Sequence, residues 1–312
     1  ERAGAGAREA WAGAWAGAAG GLVSRAATHP ADTLKARLQV AGALGPRGQA
    51  WRGLLAAVTR TARQEGLAGF YRGLGAVLVL STPGTMTYYG GYEAARRAVP
   101  VGTWGRDAIV GGLAQIVAGA VFTPMDVMKE RLQVRALLDG RGGGARGIAA
   151  MVAQEGWGAL FRGYWAGNAV WLPWNIVYIS CYEEARRRVQ ATRGGRAPSG
   201  SDVAASAVVS GAAACVVTHP LDVAKTRLQA LPPHVLGPHS SSLLGVLREV
   251  LQREGLAGLG SGLGTRVAAV SPGVAISWYV YETLKPHLLG GRVHQDGEGR
   301  EVKEQRGAEY KK

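Results

Sequence analysis

Apolar stretches of helical length alternate with short amphipathic ones along this chain, and the alternation occurs three times. Trp11 to Val40 reads as a long helix in which Gly13, Gly17 and Gly21, four apart, make one small-residue packing face. Arg25 interrupts its apolar run, and Pro30, which lacks a backbone donor, predicts a kink. Gly42 to Gly48 is turn-rich. Trp51 to Gln64 then puts Trp51, Leu54, Leu55 and Val58 on one face of a short amphipathic helix. Glu65-Gly66 ends it, Tyr71-Arg72-Gly73 opens a second long helix containing Pro83, and that helix closes on Tyr92-Glu93-Ala94-Ala95-Arg96.

The same grammar returns twice. Gly111 to Val134 is a long helix, Gly147 to Ala153 a short one followed by Glu155-Gly156, and Phe161-Arg162-Gly163 opens a helix that holds Pro173 and closes on Tyr182-Glu183-Glu184-Ala185-Arg186. Thr192 to Ser201 reads as a linker. The last long helix pair runs from Val203 to Gln229 and across Pro272 to Tyr281-Glu282-Thr283-Leu284-Lys285, with Pro232-Pro233, Ser242 to Gln252 and Glu254-Gly255 between. Where the first two units have aromatic-Arg-Gly, the third has Gly260-Ser261-Gly262, and Ser261 reads as a helix cap. Gly290 to Lys312, charged and Gly-rich, reads as a disordered tail.

Inside each unit lies one decapeptide, P-x-D-x-x-K-x-R-x-Q. It is Pro30-Asp32-Lys35-Arg37-Gln39, then Pro124-Asp126-Lys129-Arg131-Gln133, then Pro220-Asp222-Lys225-Arg227-Gln229. The starts are 94 residues apart (30 to 124) and 96 apart (124 to 220). A long-period repeat of this kind decides architecture before any local feature does. An Asp and a Lys three apart can form a local helical pair. Three copies on three helices around one axis favour a ring instead, in which each Lys of Lys35, Lys129 and Lys225 reaches the Asp of a neighbouring helix, from Asp32, Asp126 and Asp222.

This pattern resembles the mitochondrial carrier family, whose signature is this decapeptide in three tandem repeats. The resemblance covers nearly the whole chain and implies an all-α membrane protein with six transmembrane helices in three pseudo-threefold repeats, each with a short matrix helix. The expected repeats are 11–99, 104–190 and 202–289, with the tail at 290–312. The resemblance further implies a multi-pass, monomeric protein of the mitochondrial inner membrane that moves a small solute by alternating access. It assigns the Asp–Lys ring as the matrix gate, with Gln39, Gln133 and Gln229 as braces. The Tyr-Glu-x-x-Arg/Lys endings become the cytoplasmic gate: Glu93, Arg96, Glu183, Arg186, Glu282 and Lys285, braced by Tyr92, Tyr182 and Tyr281. Cardiolipin is the expected lipid partner, with its third site weakened by Ser261.

By the same resemblance, substrate contacts fall eight and nine residues after the Arg of aromatic-Arg-Gly. They are Leu80 and Ser81, Val170 and Trp171, Ala269 and Val270. Gly84, Trp174, Gly273, Tyr88, Tyr178 and Arg266 share those helix faces. No acid or base occupies a contact point. The middle is therefore apolar and aromatic, with Trp171 and Trp174, and its cationic candidates are Arg25 and Arg266. An arginine in a membrane helix is a functional candidate, so a planar or amphipathic organic anion is the expected cargo.

Composition adjusts this picture in three places. The chain has 312 residues, a net charge of +14, 48 Gly and a mean hydropathy of +0.02. A bundle around a water-filled path tolerates such low hydropathy, because polar residues face inward. The basic excess clusters between helices, as in Arg47, Arg52, Arg60 and Arg63, and suits the negative side of a membrane and anionic lipid rather than nucleic acid. Cys181 and Cys215 have no disulfide or metal spacing. No cofactor and no arrangement of catalytic residues is expected, so the chain does not read as an enzyme. The rival readings are a carrier fold kept as a scaffold or receptor, a soluble helical-repeat binder, and a proton leak. A metal-ion carrier is a further rival, because Ala275 to Glu282 resembles the end of mitochondrial iron carriers, although those place a His where Arg25 stands.

Overall fold

The computed structural model describes residues 2–44, 53–101, 103, 106–139, 145–193, 199–233, 235–236 and 242–288. Among them are six long α-helices, three short ones, three brief 3-10 helices, and no strand. The long helices are α1 (Arg2–Ala41), α3 (Leu74–Ala98), α4 (Arg106–Asp139), α6 (Tyr164–Thr192), α7 (Gly200–Ala230) and α9 (Leu263–Leu288). The short ones are α2 (Leu54–Glu65), α5 (Ala145–Glu155) and α8 (Leu243–Leu259). The long helices run past the predicted limits at several ends, and each carries its proline internally, so helical pairing resumes beyond the lost donor. Ile109–Arg135 and Ser201–Ala230 are apolar and long enough to cross a membrane. The expected tail at 290–312 lies outside the described residues, as do Arg47, Trp51 and Arg52.

The chain divides into two compact units. One is Ala26–Pro272; the other combines Glu1–Arg25 with Gly273–Lys312. In the smaller unit the packing stripe is not the predicted one. Gly17 and Gly21 meet nothing within 4 Å, whereas a Cβ on Gly20 would meet the Ser277 carbonyl oxygen at 2.6 Å. Ser24, one turn on, donates to the Gly273 carbonyl at 2.7 Å. Ala12, Ala16, Gly20 and Ser24, also four apart, are the buried small residues. A methyl adds contact area that a bare glycine lacks, so the alanine-bearing stripe packs better.

In the larger unit the apolar core gathers where the signature ends of α1, α4 and α7 converge. Leu34, Leu38, Val40, Val134, Leu137, Leu228 and Leu231 pack there with Val246 and Val250 of α8. α2 turns Ala57 and Thr61 inward and leaves Leu54 and Leu55 exposed, as befits a short amphipathic helix lying at an apolar boundary.

Two glycine triplets set the path between elements. Gly66, Gly156 and Gly255 (φ 67°, 80° and 67°) break the chain after each Glu-Gly. Gly73, Gly163 and Gly262 (φ 83°, 76° and 81°) start α3, α6 and α9. These conformations favour glycine. At Gly73 a Cβ would also sit 2.9 Å from the Lys129 carbonyl oxygen, so backbone meets backbone. Gly73→Ala is therefore expected to cost about 1–3 kcal/mol, seen as a lower melting temperature in detergent. Gly75→Ala, whose Cβ meets nothing within 4 Å, is expected to be neutral or slightly stabilising.

Candidate functional site

The three signatures meet in one place. Lys35 Nζ lies 2.6 Å from Asp222, Lys129 Nζ 2.8 Å from Asp32, and Lys225 Nζ 2.6 Å from Asp126. Each lysine takes the aspartate of the preceding signature, and the third pair closes the circle. Among the described residues no Asp–Lys ion pair forms within one signature, although the i, i+3 spacing permits it. The polar ring sits one turn beyond the prolines of α1, α4 and α7, directly against the apolar core.

The ring is not equal on its three sides. Asp222 is 7% exposed and holds Lys35, the Gln39 amide at 2.8 Å and, at 3.6 Å, Arg266 Nε. Lys225 is shared, because Glu130 of α4 also approaches it at 3.5 Å. Glu130 fills the position held by Ala36 and Thr226 in the other signatures, and the sequence reading did not single it out. Asp32 is 30% exposed and pairs with Lys129.

The three glutamines differ as well. Gln39 reaches Asp222. Gln133 instead donates to Thr33 Oγ at 3.2 Å beside His29. Gln229 is fully buried and its amide makes no hydrogen bond among the described residues. The counterparts of Thr33 in the second and third signatures are Val127 and Val223, so only Gln133 has that hydroxyl to bond.

A second circle lies behind the first. Arg37 Nε donates to the Gln133 carbonyl at 2.9 Å, Arg131 Nε to the Gln229 carbonyl at 2.9 Å, and Arg227 Nε to the Gln39 carbonyl at 2.7 Å. Here each arginine takes the following signature, opposite in sense to the lysines. The same guanidinium groups clamp the glutamates of the Glu-Gly breaks. Arg37 lies 2.6 Å from Glu65, Arg131 holds Glu155 at 2.6 and 2.9 Å, and Arg227 holds Glu254. Both halves of these clamps are triplicate motifs in the sequence, on separate elements. The fork of arginine suits such two-oxygen contacts. Arg72 adds a second cation to Glu65 at 2.7 Å. Ser261 replaces that arginine in the third unit, and it does not cap α9; its hydroxyl donates to the Leu38 carbonyl at 2.8 Å. His29 and His219 bond the Arg72 and Ser261 carbonyls, at 2.8 and 3.1 Å, and so serve structure.

At the other end the described residues are paired differently. Glu93 pairs with Arg97 at 3.3 Å and Glu183 with Arg187 at 3.7 Å, both along their own helices and exposed. No described ion pair joins Glu93, Arg96, Glu183 or Arg186 to another helix. The side chains of Tyr281, Glu282 and Lys285 lie outside the described residues.

Between the two ends, α6 carries a ladder of rings. Trp171 meets Trp174 edge-on at 5.6 Å, Trp174 stacks on Tyr178 at 5.0 Å, Tyr178 on Tyr182 at 5.9 Å, and the Arg186 guanidinium lies 5.9 Å over Tyr182. Tyr88 and Tyr92 repeat the motif on α3 at 6.5 Å. Ser81, Val170 and Ala269 are buried, and Leu80 and Val270 half-buried. Gly84 does not face a path, because a Cβ there would strike Phe122 of α4 at 2.4 Å. Arg25 is half-buried in the smaller unit.

The burial pattern orders the expected costs. Breaking a buried pair by removing one partner costs roughly 3–5 kcal/mol, against about 0–1 for an exposed one. Asp222→Asn is expected to lower the melting temperature more than Asp32→Asn. Arg131→Leu is expected to destabilise strongly, and adding Glu155→Leu to recover part of the loss, because no lone buried charge remains.

Comparison with known proteins agrees with this geometry. The family profile described as "Mitochondrial carrier protein" matches three times, at residues 6–103, 100–193 and 197–292. An uncharacterised mitochondrial carrier of Schizosaccharomyces pombe is 30% identical over 287 residues, covering 86% of this chain and 96% of its own. Mitochondrial substrate carrier family protein E of Dictyostelium discoideum is 27% identical over 286 residues, covering 86% and 93%. Mitoferrin-1 of Danio rerio is 30% identical over 297 residues, covering 89% and 85%. With three matches across almost its whole length, the chain belongs to the mitochondrial carrier family, as a multi-pass helical protein of the mitochondrial inner membrane.

Proposed function

We propose that this carrier moves a planar organic anion across the inner membrane by alternating access, with the Asp–Lys ring as its matrix-side latch. The observation that carries the reading is the closed circle of three inter-signature ion pairs. Such pairs are individually modest, so binding of a solute can offset their loss. By the family's pattern, the Glu and Arg at the Tyr-Glu-x-x-Arg endings form the opposing latch. Their exposed, intrahelical pairing alongside a closed signature ring fits a state open on the cytoplasmic side.

The ring ladder of α6 supports a planar cargo, because stacked aromatic faces accept another flat ring at little cost in reorganisation. Arg25 and Arg266 support an anion. Cardiolipin binding at the Arg72 and Arg162 corners, a monomeric state, and repeat limits at 11–99, 104–190 and 202–289 belong to the same proposal. A metal-ion carrier is the second reading, favoured by the likeness of Ala275 to Glu282 to iron carriers. Among the described residues, no three His, Cys, Asp or Glu side chains come together as a metal site.

A thermal-shift screen of the purified carrier against organic anions and divalent metals separates the two readings. A planar anion is expected to raise the melting temperature and then to be taken up by proteoliposomes. Arg25→Ala and Arg266→Ala are expected to reduce that uptake; unchanged uptake in both would exclude an anion. For the latch, Asp32→Lys and Lys129→Asp are each expected to abolish uptake, and the two together to restore part of it. Unaltered flux in either single variant would remove the latch reading.

A further inference from the structure

We infer that Glu130 makes the signature ring responsive to the acidity of the matrix. The ring closes with one proton held between the Asp126 and Glu130 carboxylates, and it returns that proton to the matrix when it opens. The inference rests on the latch reading above and adds to it a control exerted from one side of the membrane.

Ala36, Glu130 and Thr226 hold one register position in the three signatures, and all three are buried. Only the second brings a carboxylate there, so Glu130 is a fourth acid beside a ring of three. It follows Asp126 by four residues on α4, which stacks the two acids on one helix face. Both turn to Lys225 of α7. Asp126 takes that ammonium at 2.6 Å, and Glu130 reaches it only at 3.5 Å. The second Glu130 oxygen, Oε2, makes no hydrogen bond among the described residues, and neither does the Thr226 hydroxyl. The other cations that face Glu130 are Lys129 on its own helix and Lys35 of α1. Each already holds an aspartate, Asp32 and Asp222 respectively. The Arg266 guanidinium of α9 is engaged on the Asp222 side, at 3.6 Å.

Two acids that share one ammonium, withdrawn from water, do not both stay charged without cost. Asp126 has the short contact. A proton on the pair leaves three negative charges opposite the three signature lysines, and the remaining carboxyl is buried as a neutral group, which costs far less than a charge. Glu130 lies one turn past Asp126, on the side of the ring away from the middle of the helices. With the ring closed it is 6% exposed. Parting of the three helix ends would admit matrix water to it, and the hydrated carboxylate would release its proton there. The proton thus enters and leaves on one face and is not carried across. It sets the balance between the closed and open ring: an acid matrix favours closure, and an alkaline one favours opening.

Two measurements test this without knowledge of the cargo. The first is the melting temperature of the full-length carrier in detergent against pH, compared with Glu130→Gln, which keeps the size and is neutral throughout. A carboxyl that holds its proton more tightly in the folded carrier than in the unfolded chain contributes stability in acid and loses it as pH rises. The parent is therefore expected to fall progressively below Glu130→Gln as pH rises. A gap that stays constant, or that moves the other way because a charged Glu130 grips Lys225, overturns the inference. The second reads the ring in the membrane. Ala41, fully buried where the helix ends converge, becomes a reporter as Ala41→Cys, with Cys181→Ser and Cys215→Ser as background. Inside-out inner-membrane vesicles are treated with a membrane-impermeant maleimide, and each rate is divided by that of the denatured carrier at the same pH. Raising the pH on the matrix face is expected to speed alkylation about fivefold or more, the scale of a modest coupling free energy, and Glu130→Gln is expected to abolish that response. A response that survives Glu130→Gln, or that follows the pH of the vesicle lumen instead, overturns the inference. Lys35→Gln is the control for the latch itself. If it opens the reporter while matrix pH does not, only the proton role fails; if it leaves the reporter closed, the latch reading fails and the inference with it.

Discussion

Charge withdrawn from water has to find its opposite, and for the aspartates and lysines of these signatures the opposite stands in another signature. Nine side chains of the three signatures, three each of Asp, Lys and Arg, gather beside an apolar core. Partial burial weakens screening and makes an unpaired member costly. Every lysine draws its aspartate from the preceding signature and every arginine its carbonyl from the following one. Each third pairs its signature arginine with its own glutamate, but its aspartate and lysine find their partners in the other two, so the three helix pairs depend on one another. The same dependence keeps the assembly movable. Pairs that bridge helices are lost together when helices part, whereas the intrahelical hydrogen bonds survive.

Much of this was legible in the sequence because it is repeated. A decapeptide at a near-constant period announced the helix pairs, and its charged positions announced a ring. What repetition could not give is the individual environment of each copy. Three identical glutamines have three fates: Gln39 reaches Asp222, Gln133 reaches the Thr33 hydroxyl, and the Gln229 amide meets no hydrogen-bond partner among the described residues. The glycine stripe of α1 was read one position out of register, since Ala12, Ala16, Gly20 and Ser24 follow the same spacing and spacing alone cannot rank two stripes. The arginine–glutamate clamps were missed for a different reason. Their two halves lie on separate elements, the arginines on α1, α4 and α7 and the glutamates on α2, α5 and α8, and only the packing of those helices brings them together.

Departures from threefold equality collect at the third signature. Asp222 gathers Lys35, Gln39 and Arg266, Lys225 takes Glu130 as well as Asp126, and Ser261 stands in place of an arginine. Equal repeats suffice for a fold. A cargo without threefold symmetry needs unequal ones, and the extra cation and extra carboxylate sit where such inequality acts on the ring most directly.

The circular handing-on of partners has a bearing on how such a chain drifts over generations. Lys129 and Asp32 are 97 positions apart, and Lys225 and Asp126 are 99 apart. A change at a signature lysine is compensated at the aspartate of the signature before it, and a change at a signature arginine at the glutamate of its own repeat. Inherited substitutions at the ring should therefore travel as distant couples with a fixed direction around the three repeats, each lysine with the aspartate of another third of the chain.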